Sequence, residues 1–466
     1  MKRTVAVLLS ILLLSCFLPT VIASSASSDF TVEGGVLVSY SGGDTSVSIP
    51  DTVYSIASSA FMGNTDITSV TIPSSVVSIG DRAFYGCSSL SSVSGGTNVS
   101  YIGAAVFEGT PYLTDSTTKY ITLGNTVVWY NGTSTSVTLA DKYVCVAPYA
   151  FAYSALKSFS GPSLRTVGEG AFYGCDALTS VTLPSSLSYV GAYAFFGTPY
   201  LDSLGDFAVV GDGIMVAYQG DDTTVSVPAS VRQIAPRAFA ENTTVTAVTL
   251  PSATFSVGSQ AFLNCTALRE LNLSNGLVSI GREAFACCTA LSQLITPDSL
   301  SNIGVGAFLS CTGLGSVSLS GNSLTIGNAA FSGCTALEVA MFSNTVFIIG
   351  ASAFDGDENL RAISVCPSVG MIASNAFLGC QPLTAVVDEG SYAQSSLYGT
   401  ATLRTARGDA DEDGTVSIFD VTRIQRYVAE MSSLTPIQLA LADTDMDALV
   451  SILDATRIQR QLAQLG

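Results

Sequence analysis

Two stretches near the C-terminus set acidic side chains at intervals that metal chemistry uses. Residues 409–420 read D-A-D-E-D-G-T-V-S-I-F-D, and residues 443–454 read D-T-D-M-D-A-L-V-S-I-L-D. Each twelve-residue run has Asp at positions 1, 3, 5 and 12 and Ser at 9, and the second begins 34 residues after the first. Four aspartates brought together without a cation repel one another. Calcium takes six to eight hard oxygens from a tight loop of this spacing. The pattern therefore predicts two calcium ions. In the first loop the expected ligands are Asp409, Asp411, Asp413, the carbonyl of Thr415 and Asp420, with Ser417 acting through water. The second would use Asp443, Asp445, Asp447, the Leu449 carbonyl and Asp454, with Ser451 at position 9. Gly414 suits a left-handed turn at position 6, whereas Ala448 at the matching place costs roughly 1 kcal/mol or more there. The second loop is accordingly expected to bind calcium more weakly.

Each loop runs straight into a helical pattern, V-T-R-I-Q-R-Y-V from Val421 and A-T-R-I-Q-R-Q-L from Ala455, while any helix before a loop is missing or short. A duplicated loop-plus-helix over 407–466 resembles a type I dockerin, the module that binds a cohesin on a scaffolding protein. Asp rather than Glu at position 12 is normal for that family, and Ala448 is a departure from it. The resemblance implies calcium-dependent attachment to a cellulosome-like scaffold. It also implies that loop positions 10 and 11 and helix positions 17 and 18 touch the partner: Ile418, Phe419, Gln425 and Arg426 in one copy, Ile452, Leu453, Gln459 and Arg460 in the other. Two such faces would allow docking in either of two orientations. Taken as residues alone, Ile-Phe and Ile-Leu are equally the core of a small domain. The paired Gln-Arg is better explained by a quasi-symmetric binding face.

What precedes this module is a repeat. Ala-Phe recurs at Ala60, Ala83, Ala150, Ala171, Ala194, Ala238, Ala261, Ala284, Ala307, Ala330, Ala353 and Ala376, with Val106-Phe107 filling one more slot. From Ala238 onward every step is 23 residues. In the unit 178–195, Leu178, Val181 and Leu183 alternate with Ser180 and Thr182 as in a short strand. Pro184 ends it, Val190-Gly191 turns the chain, and Ala194-Phe195 packs inside. One unit cannot bury these groups alone; stacked units form a solenoid with a parallel strand ladder. Two long steps and the chain start hold F-T-V-E-G-G-V-L-V-S-Y, Y-I-T-L-G-N-T-V-V-W-Y and F-A-V-V-G-D-G-I-M-V-A-Y, ending at Tyr40, Tyr130 and Tyr218. These predict β-hairpins opening three blocks, their aromatics serving either as ligand contacts or, the simpler reading, as packing at block junctions. The motifs L-x-x-V-x-[IL]-P and I-G-x-x-A-F-x-x-C resemble the BspA-like class of bacterial leucine-rich repeats, which implies a surface-binding and non-catalytic protein.

The expected organisation is a signal peptide at 1–23, a leucine-rich repeat solenoid at 30–398 in three blocks (30–110, 118–200 and 205–398), a linker at 399–406 and the dockerin at 407–466. The fold class is an α/β repeat solenoid with hairpin insertions plus a small all-α calcium-binding domain. The signal reading rests on Lys2 and Arg3 before a short apolar run; Leu13-Leu14-Ser15-Cys16 also resembles a lipoprotein signal, leaving lipidation of Cys16 as the lesser alternative. No stretch is suited to spanning a membrane.

Seven cysteines share one repeat position: Cys87, Cys175, Cys265, Cys288, Cys311, Cys334 and Cys380. A column about 5 Å apart does not forbid disulfides, but parallel side chains favour buried free thiols acting as small apolar groups. Outward strand positions such as Ser69, Thr71, Ser180, Thr182, Ala247, Thr249, Glu270, Asn272, Gln293, Ser316, Ser318, Ala362 and Ser364 form the candidate ligand surface of the array.

Composition narrows the function. Net charge is -18 with no histidine at all, which disfavours nucleic acid as a partner and removes the usual general base and triads. The reading reached is a secreted, non-catalytic interaction protein, attached to a cell-surface or free scaffold. An adhesin for host or neighbouring-cell proteins is the first alternative. The second is a polysaccharide hydrolase, since a carboxylate pair needs no histidine.

Overall fold

The computed structural model describes residues 29–114 and 118–465; the signal segment and Cys16 lie outside the described residues. Two compact units are formed, one of residues up to Thr182 with Ala194–Gly197, the other of Leu183–Tyr193 and Thr198–Gly466.

In the first unit, short strands add one per coil to parallel ladders. Ser46–Ser48, Ser69–Ile72 and Ser92–Gly95 pair in register, as do Ser136–Thr138, Ser158–Ser160 and Ser180–Thr182. The expected hairpins are present: Phe30–Glu33 pairs with Val36–Tyr40, and Tyr120–Leu123 with Thr126–Tyr130. In the second unit the hairpin Phe207–Val210 and Ile214–Tyr218 opens a nine-stranded sheet that ends at Met371–Ile372. A six-stranded parallel sheet runs from Gln293–Ile295 to Thr402–Arg404. The repeats carry only brief helical turns, such as Pro199–Asp202 and Tyr392–Ser396, so their α content is small and the array is a parallel-strand β-solenoid.

The Ala-Phe motif builds the core. Phe239, Phe262, Phe285, Phe308, Phe331, Phe354 and Phe377 are buried and stack with centroid spacings from 4.5 to 5.2 Å. Offset stacking at this spacing adds to plain burial. Each hairpin tyrosine starts such a column: Tyr40 lies 5.3 Å from Phe61, Tyr130 4.9 Å from Phe151 and Tyr218 5.0 Å from Phe239. These aromatics are therefore packing groups. The I-G step brings coils into close contact, since a Cβ on Gly281 would meet the Ser259 nitrogen at 2.6 Å.

All seven cysteines of the column are free thiols and buried, and each thiol donates to the phenylalanine carbonyl of the preceding coil. Cys87 bonds Phe61, Cys175 Phe151, Cys265 Phe239, Cys288 Phe262, Cys311 Phe285, Cys334 Phe308 and Cys380 Phe354, at 3.0–3.3 Å. Thus the thiol is more than an apolar filler: it gives a second donor to a carbonyl that already accepts the backbone N–H three residues on.

Two sequence readings need correction. Ser318, Ala362 and Ser364 were expected on an open strand face, yet all three are buried. The helix Pro436–Ala442 packs over the strands Val339–Phe342 and Ala362–Ser364. Its Ala440 and Leu441 join Val339, Met341, Ala362 and Val386 in one apolar cluster. Within the stretch read as a linker, Thr402–Arg404 forms a strand paired parallel to Thr384–Val386. Strand alternation reports which side chains point outward, not what later covers them.

Candidate metal centre and partner face

The C-terminal segment packs two loop–helix copies around a small core of Ala410, Val421, Ile424, Ala442, Ala455 and Ile458. The helices that follow the loops are Ile418–Val428 and Ile452–Leu465. Ser417 caps the first: its hydroxyl accepts from the Phe419 N–H at 3.1 Å, and the Asp420 carboxylate returns a bond to the Ser417 N–H at 2.7 Å. The second copy repeats the arrangement, Ser451 accepting from Leu453 at 3.1 Å and Asp454 from the Ser451 N–H at 2.8 Å. The position-9 serines and position-12 aspartates thus hold the loop closed against the helix.

Positions 1, 3 and 5 do converge. Asp409, Asp411 and Asp413 each bring a carboxylate oxygen within 4.8 Å of the others, and so do Asp443, Asp445 and Asp447. Backbone N–H groups orient them: Gly414 donates to Asp409 at 3.0 Å, Asp413 to Asp411 at 3.2 Å, and Thr415 to Asp413 at 2.8 Å. In the second loop Asp447 donates to Asp445 at 3.3 Å and Leu449 to Asp447 at 2.8 Å. Asp420 and Asp454 are fully buried behind these clusters. Asp420 accepts from the Asp411 N–H at 3.0 Å; Asp454 accepts from Thr444 at 2.7 Å and Asp445 at 3.2 Å.

The loops fit a divalent cation on their own geometry. Asp409 and Asp443 are buried, yet Oδ1 of Asp409 and both carboxylate oxygens of Asp443 receive no hydrogen bond. A desolvated carboxylate without a donor is strongly unfavourable unless a cation completes it. The electrostatics agree. Burial, and after it the neighbouring aspartates, pushes Asp443 up to about 7 against the pull of Arg407. Burial likewise raises Asp445 to about 6, with Asp454 and Asp447 adding to the rise. Asp411 is also raised, chiefly by burial. Asp413 is lowered by the hydrogen bonds from Thr415. At position 6 both copies are left-handed, Gly414 at φ +90° and Ala448 at φ +69°. A Cβ on Gly414 would meet nothing within 4 Å, whereas Ala448 is buried among Val339, Met341 and Leu441.

All eight residues expected to face a partner are exposed. Ile418 is 54% exposed, Phe419 70%, Ile452 49% and Leu453 60%. The reading of these four as core residues is therefore excluded. Leaving four large apolar side chains in water at equivalent places of two copies is characteristic of an interaction surface.

Sequence reasoning missed the short helix Pro436–Ala442 and the residues that fasten it. Its signal was present: Thr435 caps it, Pro436 opens it, and Gln438 returns the capping-box bond. The apolar Val339 and Met341 at outward strand positions also signalled that something covers them.

Comparison with known proteins agrees with both halves. The family model for the BspA type leucine-rich repeat region matches residues 40–143, 144–205, 218–338 and 279–394, and that for the type I dockerin domain matches 407–463. Similar solved structures include a Treponema (T.) pallidum leucine-rich repeat protein, 31% identical over 37% of this chain and 84% of that one, with a TM-score of 0.34. A leucine-rich repeat protein from Eubacterium ventriosum is 21% identical over 74% of this chain and 90% of its own, with a TM-score of 0.40. The pneumococcal vaccine antigen PcpA is 19% identical over 80% and 94%, with a TM-score of 0.34. At such scores the superpositions carry no argument, and the assignment rests on the family models. No curated protein matches the chain significantly. Among the described residues no helix is long and apolar enough to cross a membrane. Both matched families are non-catalytic interaction modules, and the chain belongs to the BspA-type leucine-rich repeat family, with a type I dockerin at its C-terminus.

Proposed function

We propose that this chain is a secreted, non-catalytic interaction protein whose dockerin, folded around two calcium ions, docks on a cohesin of a cellulosome-like scaffold. The observation that carries the reading is the pairing of two carboxylate clusters holding unpartnered buried oxygens with four exposed apolar residues at the starts of the adjoining helices. Asp409, Asp411, Asp413 and Asp420 hold one ion and Asp443, Asp445, Asp447 and Asp454 the other, with the Thr415 and Leu449 carbonyls completing the sets and Ser417 and Ser451 contributing through water. Bound calcium supplies the charge that lets each loop close and so fixes the direction of its following helix. Ile418, Phe419, Gln425 and Arg426, or Ile452, Leu453, Gln459 and Arg460, then meet the cohesin.

The repeats supply the second surface. A cleft of about 750 Å³ lies between Arg269, Glu270, Asn272 and Gln293 of the strand face and Asp447 and Leu449 of the second loop. This concavity supports a reading in which the array holds its own ligand, as a surface adhesin does. Calorimetric titration of calcium into the chelator-treated full chain tests the proposal. Two binding events are expected, one lost in Asp411→Asn and the other in Asp445→Asn. A chain that binds no calcium contradicts it.

A further inference from the structure

The second calcium loop is shared between two structures. Its carboxylates at 443, 445 and 447 converge on one another, while Met446 and Ala448 of the same loop lie against the repeats. Met446 packs against the solenoid core, and its carbonyl accepts a 3.1 Å bond from the Asn344 N–H in the turn between two repeat strands. Ala448 is buried with Val339 and Met341 of the strand face. Just before the loop, Leu441 of the helix Pro436–Ala442 enters the same cluster. Arg407 ties the assembly from the other side: its Nη1 donates to Ser364 Oγ at 2.7 Å and to the Asp443 carbonyl at 3.0 Å, and its Nη2 donates to the Val365 carbonyl at 3.3 Å. The Asp388 carboxylate lies 3.6 Å from that guanidinium. The backbone carbonyl of the first residue of the loop, Asp443, is thus held by the arginine that grips the repeats.

No comparable contact involves the first loop among the described residues: Gly414 is exposed, and Glu412 meets only Thr435 of its own module, at 3.5 Å. The two copies of the module are therefore unequal in use. Ile418 and Phe419, and Ile452 and Leu453, stay exposed while the second loop is engaged.

We propose that the second loop is a calcium-dependent clasp that fastens the dockerin to the strand face of the last repeats. With calcium bound, the loop backbone at 446 and 448 is fixed in the shape that meets Asn344, Val339 and Met341. Without it, carboxylates 443, 445 and 447 repel, the loop opens, and the apolar strand face at Val339, Met341, Ala362 and Val386 loses its cover. The first loop has no such effect on the repeats. The clasp holds the cohesin-facing helices in a fixed relation to the repeat surface, where a free linker would let them swing.

This inference rests on calcium binding at the second loop, so both are measured together. The experiment is hydrogen exchange by mass spectrometry on the full chain, with calcium and with chelator, alongside calcium titration, for wild type, Asp413→Asn and Asp447→Asn. These two substitutions occupy position 5 of each loop, and both side chains are exposed, so neither threatens the core. The expected result is that chelation speeds exchange of peptides covering 339–365 by about tenfold or more in wild type and in D413N. In D447N exchange is fast even with calcium present. If calcium binds at both loops but exchange over 339–365 is unchanged by chelation, the clasp is overturned while the calcium reading stands. If titration finds no calcium at the second loop, both fail. Equal sensitivity of the repeats to D413N and D447N also overturns the clasp.

Discussion

Oδ1 of Asp357 accepts a 2.7 Å hydrogen bond from the backbone N–H of Cys334, at a place in the thiol column where its neighbours carry cysteine. Asp357 lies four residues after Ala353, the position that Cys334 and Cys380 fill in adjacent coils. It is fully buried, and its Oδ2 has no partner. Burial, the dominant cause, with a smaller push from Asp355, raises it from 3.8 to about 8. In its protonated form it can donate as the thiols do.

This gives a signed pH dependence. The folded-state value is raised above the unfolded one. The stability tied to the protonated form is therefore fully present below about pH 4 and is lost as pH rises towards 8. Asp357→Asn should remove that loss. The difference in unfolding free energy between D357N and wild type should grow across this window by on the order of a few kcal/mol. Chemical denaturation at several pH values checks it, and a pH-independent difference would show that Asp357 ionises freely in the fold.

Among the described cysteines, reactivity should be confined to one site. Of the ten cysteines described, nine are buried, and only Cys287 is partly exposed. Buried thiols react slowly because both access and thiolate are scarce; burial lifts Cys145, Cys265 and Cys380 to about 12. Native alkylation read by mass spectrometry should mark Cys287 first, itself slowly because its thiol is also raised by burial. Rapid labelling of Cys311 or Cys334 would contradict the hydrogen-bonded thiol column.

The two position-6 residues should answer unequally to exchange. Gly414→Ala adds a Cβ at φ +90° that meets nothing, so strain of about 1–2 kcal/mol stands without compensation. Ala448→Gly relieves similar strain at φ +69° but removes a buried methyl, for which about 0.8 kcal/mol is lost. Calcium affinity of the first loop should fall clearly in G414A, while A448G should change the second loop by less than about 1 kcal/mol. The packing of Ala448 on the repeats thus offsets much of the weakness that the sequence alone assigns to the second loop. Calorimetry on the two variants decides.

Phe308→Ala should cost about 3–5 kcal/mol, because Phe308 is stacked between Phe285 at 5.1 Å and Phe331 at 5.2 Å with no exposed surface. Solenoid units contact only their neighbours, so protease cleavage should appear first in the coils flanking residue 308. Uniform loss across the chain would argue against nearest-neighbour coupling.

Much of this was legible in the residues because the repeat is a one-dimensional code. The 23-residue spacing of Ala-Phe gave the coil register, and the D-x-D-x-D spacing gave both carboxylate clusters. What escaped was long-range. Nothing local in Thr402–Arg404 marks it as a strand; its pairing partner Thr384–Val386 creates it. Ala362 and Ser364 alternate like any outward pair; the helix Pro436–Ala442, some seventy residues on in the chain, covers Ala362, and Arg407 donates to Ser364. The thiol-to-carbonyl ladder needed coordinates, since spacing says which cysteines align but not which carbonyl each one meets.

The most direct test of the central claim is binding of the full chain to a panel of cohesin modules, measured by calorimetry with calcium and again with chelator. The account predicts tight binding to one cohesin class that disappears on chelation. It further predicts that binding survives Phe419→Ser or Leu453→Ser alone but fails when both are made, because either exposed face suffices. Absence of binding to every cohesin, despite calcium uptake at both loops, would contradict it and leave the C-terminal module as a calcium-stabilised cap on the repeats.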